Sequence, residues 1–401
     1  MKFGIIKERK NPPDKRVVFS PSKLIELKEQ FPEAEVVVET SDIRTFPDSA
    51  YEKVGIQVVD DLSDCDVLIG VKEVPVDHLI PNKKYFFFSH TIKKQPYNRK
   101  LLQAILQKNI ELFDHEVIVA ENGYRLIGFG RYAGIVGAYN GFRAIGIHKE
   151  LFELPKAENL ESQHDLIQQL NSVDFPPIKI LLSGVGKVAK GAKEMLDAMR
   201  IKKVTVDEYL HQSFNDSVYC MIDVLDYNKR KDGKIINNKD FYNHPEEYVS
   251  DFGRFAAVTN YFIAGHFYGD GSPYLFTRED AKQDDFNIKY VADISCDIDG
   301  PVASTIRPST IENPIYGYHP ITESEVDFKD PNAIVVMAVD NLPCELPKDA
   351  SEGFGEMFLD HVIPAFFNND KDGILSRAIM TQNGKLTPRF SFLQDYVDGK
   401  E

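Results

Sequence analysis

The sequence predicts an α/β protein of two Rossmann-like domains with a cleft between them, the N-terminal domain being completed by the C-terminal segment. Three observations carry this expectation. Short β-rich runs alternate with helical patterns through the first 130 residues. A second strand, glycine turn and helix opens at Ile178. The chain has 401 residues, too many for one ordinary core at roughly 150 residues per domain.

The elements follow in order. FGIIKE, EVVVET, IQVVDD, DVLIGVKE, KYFFFSH and IELFDHEV read as strands. Between them PSKLIELKEQF, behind a Ser20-Pro21 start, and RKLLQAILQKN have helical spacing. Strand and helix repetition implies a parallel sheet with helices on both faces. A long helical pattern runs from Tyr132 to about Leu154, with Ala133, Gly134, Gly137, Ala138 and Gly141 allowing close approach to another backbone. Polar sequence from Pro155 to Pro177, with a short helix in HDLIQQL, leads to the second domain. There IKILLSGVGKVAKGAKEMLDAM gives strand, turn and helix, and VTVDEY, CMIDVL, AAVTNYFI, KYVADISCDI and AIVVMAVDNLP read as further strands. The stretch EGFGEMFLDHVIPAFF returns the chain to the first domain. The expected boundaries are 1–140 with 335–401 for a substrate domain and 141–334 for a dinucleotide-binding domain.

Composition excludes several classes. Sixty-two acidic residues against 47 basic ones give a net charge of −15, which repels nucleic acid. No apolar run reaches the roughly 18 residues of a membrane span, and MKFGIIKERKN reads as a first strand rather than a signal peptide. Cys65, Cys220, Cys296 and Cys344 form no CxxC pair, so neither zinc nor a disulfide framework is expected, and a reducing cytoplasm fits. Against the acidic background, Lys83, Lys84, Lys93, Lys94, Arg99 and Lys100 form a stripe without an acidic neighbour, suited to a solvated edge or to a cleft that draws in a small polyanion.

The chemistry-bearing pattern of the second domain is G-x-G-x-x-A at Gly184, Gly186 and Ala189, with Lys187 inside it and Gly191 beyond. The first glycine permits the turn, the second lets backbone approach a pyrophosphate, and the small third residue lets helix and strand pack. The helix N-terminus then faces the phosphates. Asp207, 23 positions after Gly184, is expected to end the second strand and bind the adenosine ribose, favouring NAD, with NADP left open. Asp293, Ser295, Asp297, Asp299, Asp340 and Asn341 cluster at later strand ends.

In the first domain, three strand ends offer proton-transfer and anion-binding groups: Lys72 with Glu73, His90 with Lys93, and Glu116 with Arg125 and Arg131. Lys7 and Arg16 flank the turn after the first strand. A lysine ending an apolar strand loses solvation and becomes a usable base, while imidazole exchanges protons near neutrality.

These residues carry a resemblance. K-E-x-P at 72–75, S-H-T-I-K at 89–93, F-G-R-Y-A-G at 129–134, G-V-G-K-V-A-K-G at 184–191, H-P-E-E-Y at 244–248, D-I-S-C-D at 293–297 and V-D-N-L-P at 339–343 resemble the saccharopine dehydrogenase (lysine-forming) family. The likeness is to its lysine-ketoglutarate reductase branch, within the wider alanine dehydrogenase and transhydrogenase group, and it runs over nearly the whole chain. It implies an NAD(P)-dependent oxidoreductase joining lysine and 2-oxoglutarate into saccharopine, or reversing that. By the resemblance Lys72 and His90 are the acid/base pair, and Arg16, Lys93 and Arg125 bind substrate carboxylates, with Glu116 as a charge partner. Gly184, Gly186, Lys187, Ala189, Asp207 and Asn341 meet the cofactor, and Asp293 or Asp297 lies beside the reacting amine. The expected partners are an amino acid and a 2-oxo acid, with no metal, nucleic acid or membrane. Two other readings remain: an alanine dehydrogenase-like or other N-carboxyalkyl amino-acid dehydrogenase, and a non-catalytic nucleotide-binding regulator.

Overall fold

The computed structural model describes residues 1–235 and 237–400. The chain forms two compact units, Met1–Phe129 with Pro347–Glu401, and Gly130–Leu346.

In the first unit β1 (Lys2–Ile5), β2 (Glu35–Glu39), β3 (Gln57–Val59), β4 (Val67–Lys72), β5 (Lys84–Phe88) and β6 (Glu111–Asp114) form one sheet. Its order is β3-β2-β1-β4-β5-β6, with every pairing parallel. Near-continuous apolar runs such as Val67–Val71 and Tyr85–Phe88, buried on both faces, suit a sheet covered on both sides. Helix α1 (Pro21–Gln30) starts where the Ser20 hydroxyl accepts the Lys23 N–H at 3.3 Å, with Pro21 in the first turn. Helix α2 (Asp48–Glu52) leads into β3, and α3 (Arg99–Gln107) buries Leu101, Leu102, Ala104 and Ile105 before β6.

The C-terminal segment completes this unit, as the sequence predicts. Phe358, in the helix Pro347–His361, packs edge-on to Phe19 and Phe86 with ring centroids 5.5 and 5.7 Å apart. Phe366 meets Phe3 at 5.3 Å, and Phe367 stacks on Phe31 at 5.0 Å. Beyond these helices the Met380 N–H donates to Leu112 O at 2.8 Å, and the Thr381 hydroxyl oxygen accepts the Leu112 N–H at 2.9 Å. These bonds cover the β6 edge, which would otherwise present unpaired backbone.

The second unit opens with α4 (Gly130–Lys149) and α5 (Gln163–Asn171), then β7 (Lys179–Ser183) and α6 (Lys187–Ala198). The small residues along α4 act as expected. A Cβ on Gly134 would lie 1.9 Å from Val188 O, and one on Gly191 would lie 1.9 Å from Arg131 O, so α4 and α6 touch backbone to backbone. All of α4 therefore stands in this unit, which also takes in the strand after Asn332, whereas the sequence reading divides the chain at 140 and 335.

After α6 come β8 (Lys202–Lys203), α7 (Val206–His211), β9 (Val218–Ile222), α8 (Val224–Tyr227) and an antiparallel pair of β10 (Asn228–Arg230) and β11 (Tyr248–Ser250). They are followed by β12 (Tyr261–Ala264), β13 (Tyr290–Asp293), β14 (Ile315–His319), β15 (Ser324–Val326) and β16 (Ile334–Met337). The main sheet has eight strands in the order β15-β14-β16-β13-β12-β7-β9-β8, parallel from β8 to β16.

VTVDEY is a correction. Only Lys202 and Lys203 pair as a strand, and Thr205 instead caps α7, its side chain meeting the Glu208 N–H while the Glu208 carboxylate accepts the Thr205 N–H. Thr-x-x-Glu is a capping box, and that local signal outweighs the β-branched run. Moreover β9, not β8, lies beside β7.

Candidate active site

In the first sheet the chain leaves β1 toward β2 and β3, then returns to β4 on the other side. The strand order thus reverses between β1 and β4, and ligands of such sheets bind at the carboxyl ends beside that point. Lys72 is the last residue of β4, half-buried, opposite Phe88 across a register shift that begins after Ile69. Such irregularities re-aim a strand's last side chains.

Glu8 follows β1 and is buried. Its two carboxyl oxygens accept the N–H groups of Val71 at 2.7 Å and Lys72 at 2.8 Å. Burial is the main cause that raises this carboxyl to about 8, so it holds a proton at neutral pH. Arg16 is buried as well, with Nη2 at 2.6 Å and Nε at 3.0 Å from the Asp14 carboxylate, and its guanidinium lies 4.2 Å over the Phe129 ring. Burial pushes Asp14 up, but the Arg16 charge and hydrogen bonds outweigh it, and Lys72 adds to them, so the carboxyl stays below its ordinary range. Lys10 reaches Glu73 at 2.8 Å.

β5 ends on Phe88, after which His90 takes a left-handed backbone with φ 55°. This conformation is costly for a residue with a Cβ, and such residues concentrate at functional sites. The turn is held by Asp114, buried at the end of β6, which accepts the Ser89 N–H at 3.0 Å and the Ser89 hydroxyl. Asp114 also accepts the Glu116 N–H at 2.7 Å. His90 Nδ1 stands 3.7 Å from the Glu116 carboxylate, an electrostatic contact, and Lys93 Nζ stands 3.3 Å from the same group. Burial acts to raise Glu116, but His90 and the charges of Lys93 and Arg125 overcome it and hold the carboxyl at about 2. The Arg125 guanidinium lies 5.3 Å over the Phe88 ring.

The carboxyl edge of one sheet therefore gathers Lys72, His90, Lys93, Arg16, Glu116 and Arg125. His115 stands apart: buried among Phe88, Phe354 and Phe358, it hydrogen-bonds Gly70 O at 2.8 Å and is pushed down to about 3 by burial, which keeps it neutral. The cationic stripe from Lys83 to Lys100 does not face one place, because Lys84 starts β5 at the opposite edge and pairs with Glu111 at 2.7 Å. Sequence reasoning passed over Glu8 and Asp14. The signal for Glu8 was a charged residue three positions past an apolar first strand.

In the second unit Gly184 has φ 92°, and a Cβ there would come within 2.6 Å of Gly265 O. Only glycine suits that turn. A Cβ on Gly186 would meet no heavy atom within 4 Å, so space lies open beside the N-terminus of α6, where Lys187 is the first helical residue. Ala189 is buried in the helix. This shape fits a pyrophosphate.

Asp207 does not take the place expected of it. It lies in the first turn of α7 with its side chain 87% exposed, 3.2 Å from His211, and α7 follows the edge strand β8. The carboxylate that ends the strand beside β7 is Asp223, after β9, and the preceding residue, Ile222, accepts the Gly184 N–H at 2.8 Å. Asp223 accepts the Val224 N–H at 2.8 Å and the Asn238 amide at 2.6 Å.

At the end of β13, Asp293 is buried and its oxygens accept the Ser295 hydroxyl, the Cys296 N–H and the Thr305 hydroxyl at 2.6, 3.0 and 2.6 Å. Asp297 is half-buried and is raised first by burial and then by the Asp293 charge. Asn341 precedes a short turn of helix, Leu342–Glu345.

Comparison with known proteins agrees with the resemblance carried by the motifs. Residues 4–136 match the family model described as alanine dehydrogenase/PNT, N-terminal domain. The alpha-aminoadipic semialdehyde synthase of Arabidopsis thaliana is 28% identical over 97% of this chain and 41% of its own length, and the mitochondrial protein of that name from Bos taurus is 27% identical over 91% and 45%. The chain thus spans less than half the length of these relatives. A saccharopine dehydrogenase [NAD(+), L-lysine-forming] from Yarrowia lipolytica is 23% identical over 82% of this chain and 83% of its own. Among solved structures an L-alanine dehydrogenase superposes with a TM-score of 0.64 at 18% identity, covering 99% of this chain and 100% of that one. The transhydrogenase from Sinorhizobium meliloti gives 0.54 at 15%, covering 96% and 99%. These likenesses fix the α/β architecture. Among the described residues no helix is long and apolar enough to cross a membrane.

Proposed function

We propose that the chain is an NAD(P)-dependent oxidoreductase of the CH–NH group, interconverting saccharopine, NAD(P)⁺ and water with lysine, 2-oxoglutarate and NAD(P)H. The observation that carries this is the meeting of Lys72 and His90 with Arg16, Lys93 and Arg125 at the carboxyl edge of one sheet. Saccharopine bears three carboxylates, so a site for it needs several cations, and guanidinium groups grip carboxylates in two-point fashion. A pyruvate-sized substrate calls for fewer, which sets the alanine dehydrogenase-like alternative second.

In the reductive direction the lysine side-chain ammonium must lose a proton before its nitrogen can attack the keto carbon. His90 takes that proton, with Glu116 and Lys93 fixing the ring's surroundings. Lys72 moves protons at the carbinolamine oxygen, so that water leaves and the imine forms. Glu8, neutral against the Lys72 N–H, braces the strand end without adding a negative charge beside Lys72. Gly184, Gly186, Lys187, Ala189 and Asn341 hold the dinucleotide, whose nicotinamide supplies hydride to the imine carbon when bound. Of the two aspartates we assign Asp297 to the amine, because the Asp293 oxygens already accept three protein groups.

For the ribose we assign Asp223 in place of Asp207. A carboxylate ending the strand next to the glycine turn accepts the ribose hydroxyls and repels a 2′-phosphate, which favours NAD. The test is oxidation of NADH and of NADPH with lysine and 2-oxoglutarate together, each alone, and pyruvate with ammonium. Turnover that needs lysine and 2-oxoglutarate together, prefers NADH, and falls at least about 100-fold in Lys72→Met and His90→Gln is expected. Turnover with pyruvate and ammonium would favour the alternative dehydrogenase. Nucleotide binding without turnover on any pair would favour the non-catalytic regulator.

A further inference from the structure

The second unit contains a histidine that the reaction above does not use. His266 lies two residues past β12, on the side of β7 opposite β9 and Asp223. Its backbone abuts the glycine turn, since a Cβ on Gly184 would approach His266 Cα to 2.8 Å. The residue is only 6% exposed. Nδ1 is held 2.9 Å from the hydroxyl of Ser183, the last residue of β7, whereas Nε2 is buried with no partner among the described residues.

A buried ring nitrogen without a partner loses its hydration and gains nothing in return. A leucine would fill similar space without that loss, so the imidazole calls for a group that the protein does not provide. The strand order says which. With a pyrophosphate on the turn between β7 and α6 and the adenosine ribose toward β9, the other half of a dinucleotide extends over β12 and β13. We propose that His266 is a further cofactor contact, its Nε2 hydrogen-bonding the nicotinamide-side half of the dinucleotide. This rests on reading the unit as dinucleotide-binding and names a contact within it.

The ring's state suits the role. Burial, opposed by the Asp293 charge, pushes His266 down to about 4, so it is neutral at pH 7. In the tautomer whose Nδ1 accepts the Ser183 hydroxyl proton, Nε2 carries the N–H and donates to a carboxamide or ribose oxygen. Asp293, at the end of neighbouring β13, is the charged group facing it.

The test is titration of the full chain with NADH, followed by nucleotide fluorescence, and with ADP, followed by calorimetry, in wild type, His266→Leu and His266→Gln. The expected result is NADH binding weakened about tenfold or more in His266→Leu, ADP binding unchanged, and partial recovery in His266→Gln, whose amide offers a donor near the place of Nε2. Equal weakening for NADH and ADP would make the ring a structural support only and overturn the proposal. So would NADH binding that is the same in all three proteins. A wild type that binds neither nucleotide would overturn the dinucleotide reading itself, and the contact with it.

Discussion

Glu8 allows a quantitative prediction because its surroundings are closed. Its carboxyl is raised from an ordinary 4.5 to about 8, chiefly by burial. Between those values the folded protein keeps a proton that the unfolded chain has released. Stability then falls as pH rises through the window, by ~1.4 kcal/mol per pH unit and ~5 kcal/mol across it. Glu8→Gln removes the titration while leaving a neutral side chain of the same shape, so its stability carries only a pH-independent offset. The assay is urea unfolding at intervals from pH 5 to pH 8, followed by circular dichroism because the chain has no tryptophan. The wild type should lose stability relative to Glu8→Gln with each step, and most of that loss should be present by pH 8. Parallel curves for the two proteins over this range would refute the reasoning.

Three further outcomes are expected. Glu116, held at about 2 from an ordinary 4.5, stabilises the fold above pH 4.5 and loses that contribution as pH falls, so the advantage of wild type over Glu116→Gln should shrink by ~2 kcal/mol between pH 4.5 and pH 3 in the same unfolding assay. Gly191→Val places a side chain where a Cβ already lies 1.9 Å from Arg131 O; backbone on both sides cannot yield cheaply, and a loss of more than about 3 kcal/mol is expected in thermal unfolding. Phe358→Ala removes a ring buried against Phe19, Phe86 and His115, at ~3–5 kcal/mol in denaturant unfolding.

Much of the strand and helix order in the first unit was legible because the strands are apolar runs and α1 carries its own start signal in Ser20-Pro21. The turn at Gly184 was legible for the same reason: its residues are contiguous and each has a local task. Lys72 and His90 were visible as polar residues at or just past the ends of apolar strands, and the resemblance of the motifs supplied the roles proposed for them. VTVDEY misled because two local signals competed there, and the capping box from Thr205 to Glu208 stabilises helix within one turn of chain.

What the sequence by itself determined was many of the elements and the residues that end them, since periodicity, caps and glycine turns act over a few neighbouring residues. Which ends share an edge was decided only in three dimensions. Parallel pairing joins strands through long crossovers, so nothing local announces that β9 rather than β8 lies against β7, and with that choice the carboxylate proposed for the ribose moves from Asp207 to Asp223. The same holds for burial. Glu8 keeps its proton and Glu116 gives its up because one is closed off beneath backbone N–H groups while the other lies among His90, Lys93 and Arg125. A carboxyl's charge is set by what surrounds it, and those neighbours come from distant parts of the chain.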